Sequence, residues 1–205
     1  MIVGNGLIAS AIGDIEGVIV FASGVANSTE RRQEEFDREV ALFDTMPDNR
    51  FLVYFSTCAV FEWPYTPYVE HKRNMERLVM KRRGLVIRLP QVAGKSANSH
   101  TLLNFLHQKI VSGEPFEIWS RAVRRVIDID DIVPVARQHI KSMCPVIINY
   151  TTTPVTVMDI VTALEKTTHK RGQYQVVNKG SACSVPGVHI DSDLNTIVGK
   201  YYGDS

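Results

Sequence analysis

Short apolar runs alternate with helix-like segments along most of this chain, and that alternation restricts the fold more than any other feature. Gly17-Val-Ile-Val-Phe-Ala-Ser-Gly24, Arg50-Phe-Leu-Val-Tyr-Phe-Ser-Thr-Cys58, Leu85-Val-Ile-Arg-Leu89 and Pro145-Val-Ile-Ile-Asn149 read as buried strands. Between them, Phe36, Val40 and Phe43 and then Met75, Leu78 and Val79 recur at helical spacing. Strands joined by helices imply a parallel sheet covered on both faces. A chain of 205 residues, 44% hydrophobic, is long enough to bury such a core.

Local signals set the expected boundaries. Asn27 and Glu30 predict a cap for a helix over 28 to 46 that stops at Pro47, and its other face is charged. A second helix is expected over 67 to 83, a third over 99 to 112, and a fourth from Ile132 to Met143. Thr156-Val-Met-Asp159 is a capping box before Ile160, Val161 and Leu164. A weak strand around Val176 and a helix from about Asp193 to Tyr201 close the chain.

A formal charge of +1 leaves no electrostatic footprint for nucleic acid or an anionic membrane. Cys58, Cys144 and Cys183 are odd in number and have no close pairing, which argues against a disulfide framework or a zinc site. No segment approaches the length of a membrane span. The expectation is a soluble cytoplasmic protein. His100 and His107 are seven residues apart, and ordinary surface or core histidines are far commoner than ligands at that spacing, so no metal is expected.

Two patterns carry chemistry. Met1-Ile-Val-Gly-Asn-Gly-Leu-Ile-Ala-Ser10 is a short apolar run entering Gly4-x-Gly6-x-x-Ala9 and a helix, the order in which backbone amides can hold a pyrophosphate. A tight turn with no ligand would look the same. In Thr66-Pro-Tyr-Val-Glu-His-Lys72, a helix would put Tyr68 and Lys72 one turn apart on one face. An ammonium beside a phenol favours the phenolate and brings a group that normally titrates near 10 toward working pH. The bland alternative is a ring on the core with the amine in water. Trp63 and Trp119 read either as the lining of a binding site or as core packing.

The order of these signals resembles the extended short-chain dehydrogenase/reductases, in particular the NAD-dependent epimerase/dehydratase branch. Gly4-x-Gly6-x-x-Ala9, Val20-Phe-Ala-Ser-Gly24, Phe55-Ser-Thr-Cys-Ala-Val-Phe61, Tyr68-x-x-x-Lys72, Arg88-Leu-Pro-Gln-Val-Ala-Gly94 and Arg124-Arg-Val-Ile-Asp-Ile-Asp-Asp131 follow one another as in that family. The resemblance implies an α/β Rossmann-like parallel sheet of five to six strands. It implies a dinucleotide-binding domain over 1–150, with 90–120 contributing to a substrate lobe, and a small C-terminal substrate lobe over 151–205. It implies Thr57, Tyr68 and Lys72 as the catalytic set. Gly4, Asn5, Gly6, Leu7, Ile8, Ala22, Ser23, Gly24, Lys72 and Pro90 would bind NAD or NADP, and Gln91 and Arg124 a nucleotide sugar. A homodimer through the helices over 28–46 and 67–83 is also implied.

This chain departs from the pattern in three ways. Only a few residues separate the first helix from the strand at Gly17, so the two strands of the adenosine half and their acidic ribose ligand are missing. The link from Thr57 to Tyr68 is short. Cys58 and Ala59 stand where the family's dehydratases carry Asp and Glu, which points away from dehydration and toward an epimerase or reductase. The alternative is a catalytically inactive relative that binds a nucleotide sugar or a protein.

Overall fold

The computed structural model describes residues 1–96 and 98–203. Strand β1 (Ile2–Val3) leads through α1 (Leu7–Ile12) to β2 (Val18–Phe21), and α2 (Gln33–Asp44) leads to β3 (Phe51–Thr57). Helix α3 (Pro67–Lys81) precedes β4 (Leu85–Leu89), and β5 (Gln91–Ala93), α4 (Leu102–Ser112), β6 (Phe116–Trp119) and β7 (Val123–Asp128) follow. Then come α5 (Ile129–Lys141), β8 (Ile147–Thr151), β9 (Pro154–Thr156), α6 (Val157–Thr168), β10 (Tyr174–Val177), β11 (Val188–His189) and α7 (Leu194–Tyr202).

The main sheet has six strands in the order β1-β2-β3-β4-β8-β11, all parallel. Its strands read as continuous apolar runs because both faces are covered. Val18, Val20, Val53, Phe55, Leu85 and Ile87 pack on one face with Ile12 of α1 and Ile132, Ala136 and Ile140 of α5. Ile19, Phe21, Leu52, Tyr54 and Val86 pack on the other with Phe43 of α2 and Met75 and Val79 of α3. Each such side chain, fully buried, contributes about 1.5 to 3 kcal/mol.

Strands β1 to β4 lie side by side in chain order, but α1 is on the opposite face from α2 and α3. Crossovers that advance in one direction over opposite faces have opposite hands. Parallel crossovers are right-handed in about 98% of cases, so the α2 and α3 connections take the usual hand and β1–α1–β2 the rare one. The reason lies beyond β1. A complete dinucleotide fold carries the chain from α1 to strands on the far side of β1. Among the described residues no strand pairs there, so the chain turns back to β2 instead.

A second core joins α4, α6 and α7 to β6 and β7. It is flanked by a sheet ordered β5-β7-β9 and a parallel pair of β10 and β6. Within 151–205, α6 and α7 stay with this core, whereas β11 returns to pair with β8 at the edge of the main sheet. The capping box forms as expected, with Thr156 and Asp159 exchanging both hydrogen bonds. The cap of α2 does not. Asn27 closes a turn onto Thr29, and the Glu30 carboxylate is taken by the Arg32 guanidinium and the amides of Arg31 and Arg32. The helix therefore starts only at Gln33.

Gly4 shows why the turn after β1 is built from glycine. Its φ is +120°, and a Cβ there would lie 2.5 Å from the Ala22 carbonyl oxygen. Gly4→Ala is expected to lower stability by about 1 to 3 kcal/mol, read as the shift in the chemical-denaturation midpoint. An unchanged midpoint would mean that the turn relaxes freely.

Candidate functional site

The carboxyl ends of the central strands open into one cavity of about 520 Å³. Strand β3 ends at Thr57, whose Oγ1 accepts the Ala59 amide at 3.1 Å and starts a short 3-10 turn over Cys58–Phe61. Thr66 caps α3 through the Val69 amide, and Pro67 occupies its first turn. Tyr68 and Lys72 then fall one turn apart on the inward face, in line with Met75 and Val79.

Around this cavity stand Asn5, Gly6, Leu7 and Ile8 of the glycine turn, Ala22, Ser23 and Gly24 after β2, Thr57, Tyr68, Lys72, and Pro90 and Gln91 after β4. Two of the residues picked from the sequence are elsewhere. Gly4 packs on the Ala22 backbone behind the wall, and Arg124 lies on β7 opposite Val155 with its guanidinium on the Val123 carbonyl. Trp63 is 79% exposed and Trp119 44% exposed, so neither lines the cavity nor fills the core. His100 does line it, together with Ser96, Asn98 and Thr101. Among the described residues no cluster of potential metal ligands occurs.

Electrostatics at Tyr68 run against the expectation from spacing. Its side chain is nearly buried, and that burial pushes the phenol up to about 12. Thr57 pulls it down, although no hydrogen bond of ordinary geometry joins the two hydroxyls, and the Glu39 charge raises it further. Lys72 does not bring the phenol toward neutrality because its ammonium is already engaged. Its Nζ donates to the Tyr54 hydroxyl at 2.8 Å and lies 3.3 and 3.4 Å from the two Glu39 oxygens. Toward Tyr68 it offers only a position 5.8 Å from the ring centre.

Glu39 was hidden in the sequence among the charges of α2. It is wholly buried and accepts from the Val25 amide at 2.6 Å, the Tyr54 hydroxyl at 2.6 Å and His71 Nε2 at 2.9 Å, as well as from Lys72. Burial raises the carboxyl, but Lys72, His71, Tyr54 and Val25 together hold it below the usual carboxylate range. Burial likewise pulls Lys72 down while Glu39 pushes it up. The ammonium–carboxylate form is the consistent one, since a neutral amine would leave the carboxylate buried without a counter-charge. A signal was available: position 39 is three residues after Phe36 and four before Phe43, on the buried stripe.

No family model matches the chain, and no curated protein matches it in sequence. Solved structures do resemble it in fold. A dTDP-glucose 4,6-dehydratase from Bacillus anthracis, crystallised with NAD, superposes with a TM-score of 0.72 at 12% identity over 90% of this chain and 71% of that one. The enzyme WbmH of Bordetella bronchiseptica, in complex with NAD+, gives 0.70 at 14% identity over 95% and 77%. A UDP-glucose 4-epimerase from Bifidobacterium longum, with NAD+ and UDP, gives 0.69 at 11% identity over 94% and 77%. The chain thus has the Rossmann-like fold of these NAD-dependent epimerases and dehydratases in a shorter form.

Proposed function

We propose that this chain is an NAD(P)-dependent sugar-nucleotide reductase or epimerase in which Thr57, Tyr68 and Lys72 form the catalytic set. The observation that carries the reading is the meeting of these three side chains with the glycine turn, Pro90 and Gln91 around one cavity. The likeness to enzymes crystallised with NAD and UDP adds support at the level of fold.

The lining fits the nicotinamide end of such a cofactor better than the adenosine end. Lys72, Tyr68 and Pro90 would hold the nicotinamide ribose and ring, and the backbone of Gly6 to Ile8 the pyrophosphate. Among the described residues no strand pairs beyond β1 to carry the ribose carboxylate and adenine wall of a complete dinucleotide fold. When bound, the cofactor supplies or accepts a hydride at the sugar carbon. Tyr68 exchanges the proton of the same carbon's oxygen, and the Thr57 hydroxyl donates to that oxygen as charge develops on it. Gln91 orients the sugar. Arg124, outside this lining, contacts the nucleotide diphosphate if substrate extends past β7.

Titration with NAD+, NADH and their phosphorylated forms, followed by a screen of nucleotide sugars, tests the assignment. Binding is expected to be weak, because each charged hydrogen bond lost with the adenosine half is worth about 1.5 to 3 kcal/mol. The same samples are expected to sediment as a dimer of the 23.0 kDa chain, paired through α2 and α3 about a twofold axis. A purified monomer that retains a nicotinamide cofactor tightly would contradict the account of the missing half. Absence of binding together with retained nucleotide-sugar binding would favour the second reading, an inactive binding module. The capture of Lys72 by Glu39 is the observation on that side.

A further inference from the structure

The ion pair beneath the cavity has a direct bearing on what Tyr68 can do. We propose that Glu39 is a positioning residue that draws Lys72 away from the phenol, and so holds Tyr68 as a proton donor suited to reducing a ketone. The inference rests on the nicotinamide reading above and deepens it.

Three features support it. Lys72 is almost fully buried and its polar contacts go to Glu39 and Tyr54, not to Tyr68. The Glu39 carboxylate also holds the Val25 amide, so the loop after β2 that lines the cavity is pinned to the same group. Finally, Gly24 sits directly over the pair. A Cβ there would lie 2.5 Å from Lys72 Nζ and 2.8 Å from a Glu39 oxygen, so the loop, the amine and the carboxylate are packed as one unit. The charged and titratable groups around Glu39 are Lys72, His71, Tyr68 and Glu76 from α3, Tyr54 from β3 and Arg38 from α2.

A reduced nicotinamide held by this lining would supply the hydride that forms a C–H bond at the carbonyl carbon as the C=O π bond opens. The Tyr68 O–H bond breaks as its proton passes to the carbonyl oxygen, giving the alcohol, an oxidised nicotinamide and a phenolate. Water reprotonates the phenolate. The reverse step requires Tyr68 to begin as a base, which Glu39 opposes by neutralising Lys72.

The test reads the phenol itself. Protein labelled with carbon-13 at the tyrosine ring carbon bearing oxygen is titrated by NMR, with Tyr68→Phe assigning the resonance. In the native chain the midpoint is expected near 12, and in Glu39→Gln it should fall measurably as the Glu39 charge is lost, while burial, the larger cause, still holds it above the ordinary value. Glu39→Asp keeps a charge for Val25 and His71 but withdraws it from Lys72. It should give a midpoint in between, and it serves if Glu39→Gln does not fold. NADH is titrated against the same proteins, and the native chain is expected to bind it weakly. An unchanged Tyr68 midpoint in both variants overturns the role of Glu39. A lowered midpoint with no NADH binding by any of the proteins keeps that role and removes the nicotinamide reading instead.

Discussion

Tyr68→Phe should leave folding almost unchanged and remove about 10²-fold or more of turnover on whichever nucleotide sugar the screen identifies, the range for a general acid–base group. The ring packs with Val25, Phe36, Val60 and Val69, and phenylalanine keeps all of those contacts. The hydroxyl takes part in no hydrogen bond of ordinary geometry with a neighbouring side chain, so its loss exposes no buried partner. Thr57 accepts the Ala59 amide independently of Tyr68, so the 3-10 turn should persist. Steady-state kinetics beside a denaturation curve decide the matter. A variant with full turnover, or one that loses stability while each folded molecule stays active, would reduce Tyr68 to a packing residue.

How far the sequence showed all this depends on the range of the interaction. The central strands were legible because a parallel sheet buried on both faces turns each strand into an unbroken apolar run, as in Val18–Phe21 and Leu85–Leu89. The start of α3 was legible because Thr66 and Pro67 act within one turn of the chain. The hand of the β1–α1–β2 crossover was not, since helix periodicity says which side of a helix is buried and nothing about which face of the sheet buries it. Two-residue β11 is too short to display a period. The site divided in the same way. Tyr68 and Lys72 were legible from their spacing, but the expected consequence for the phenol was reversed by partners far along the chain. Glu39 meets Tyr54 at a separation of 15 residues and Lys72 at 33, and its charge made a buried position look like part of a solvated face.

Lys72→Met should therefore do more than impair cofactor binding and turnover. Removing one partner of a buried ion pair leaves the other charged and without compensation, which costs about 3 to 5 kcal/mol. Val25, Tyr54 and His71 still hydrogen-bond Glu39, and the Val25 amide and the Tyr54 phenol orient toward the carboxylate without supplying a counter-charge. Against a total of about 5 to 15 kcal/mol for a domain of ordinary stability, the loss should appear as a large fall in the guanidinium midpoint. Adding Glu39→Gln in the same chain removes the stranded charge, and its amide oxygen can accept from Val25 while its NH2 donates to the Tyr54 hydroxyl oxygen. The double variant should recover most of the stability, with a coupling of about 1 kcal/mol or more between the two sites. Turnover should not recover with it, because the ammonium that would hold the nicotinamide ribose is absent from both proteins. If Lys72→Met unfolds at the native midpoint, the pair does not hold this part of the fold together. Lys72 would then be free to serve the cofactor, as spacing alone suggests.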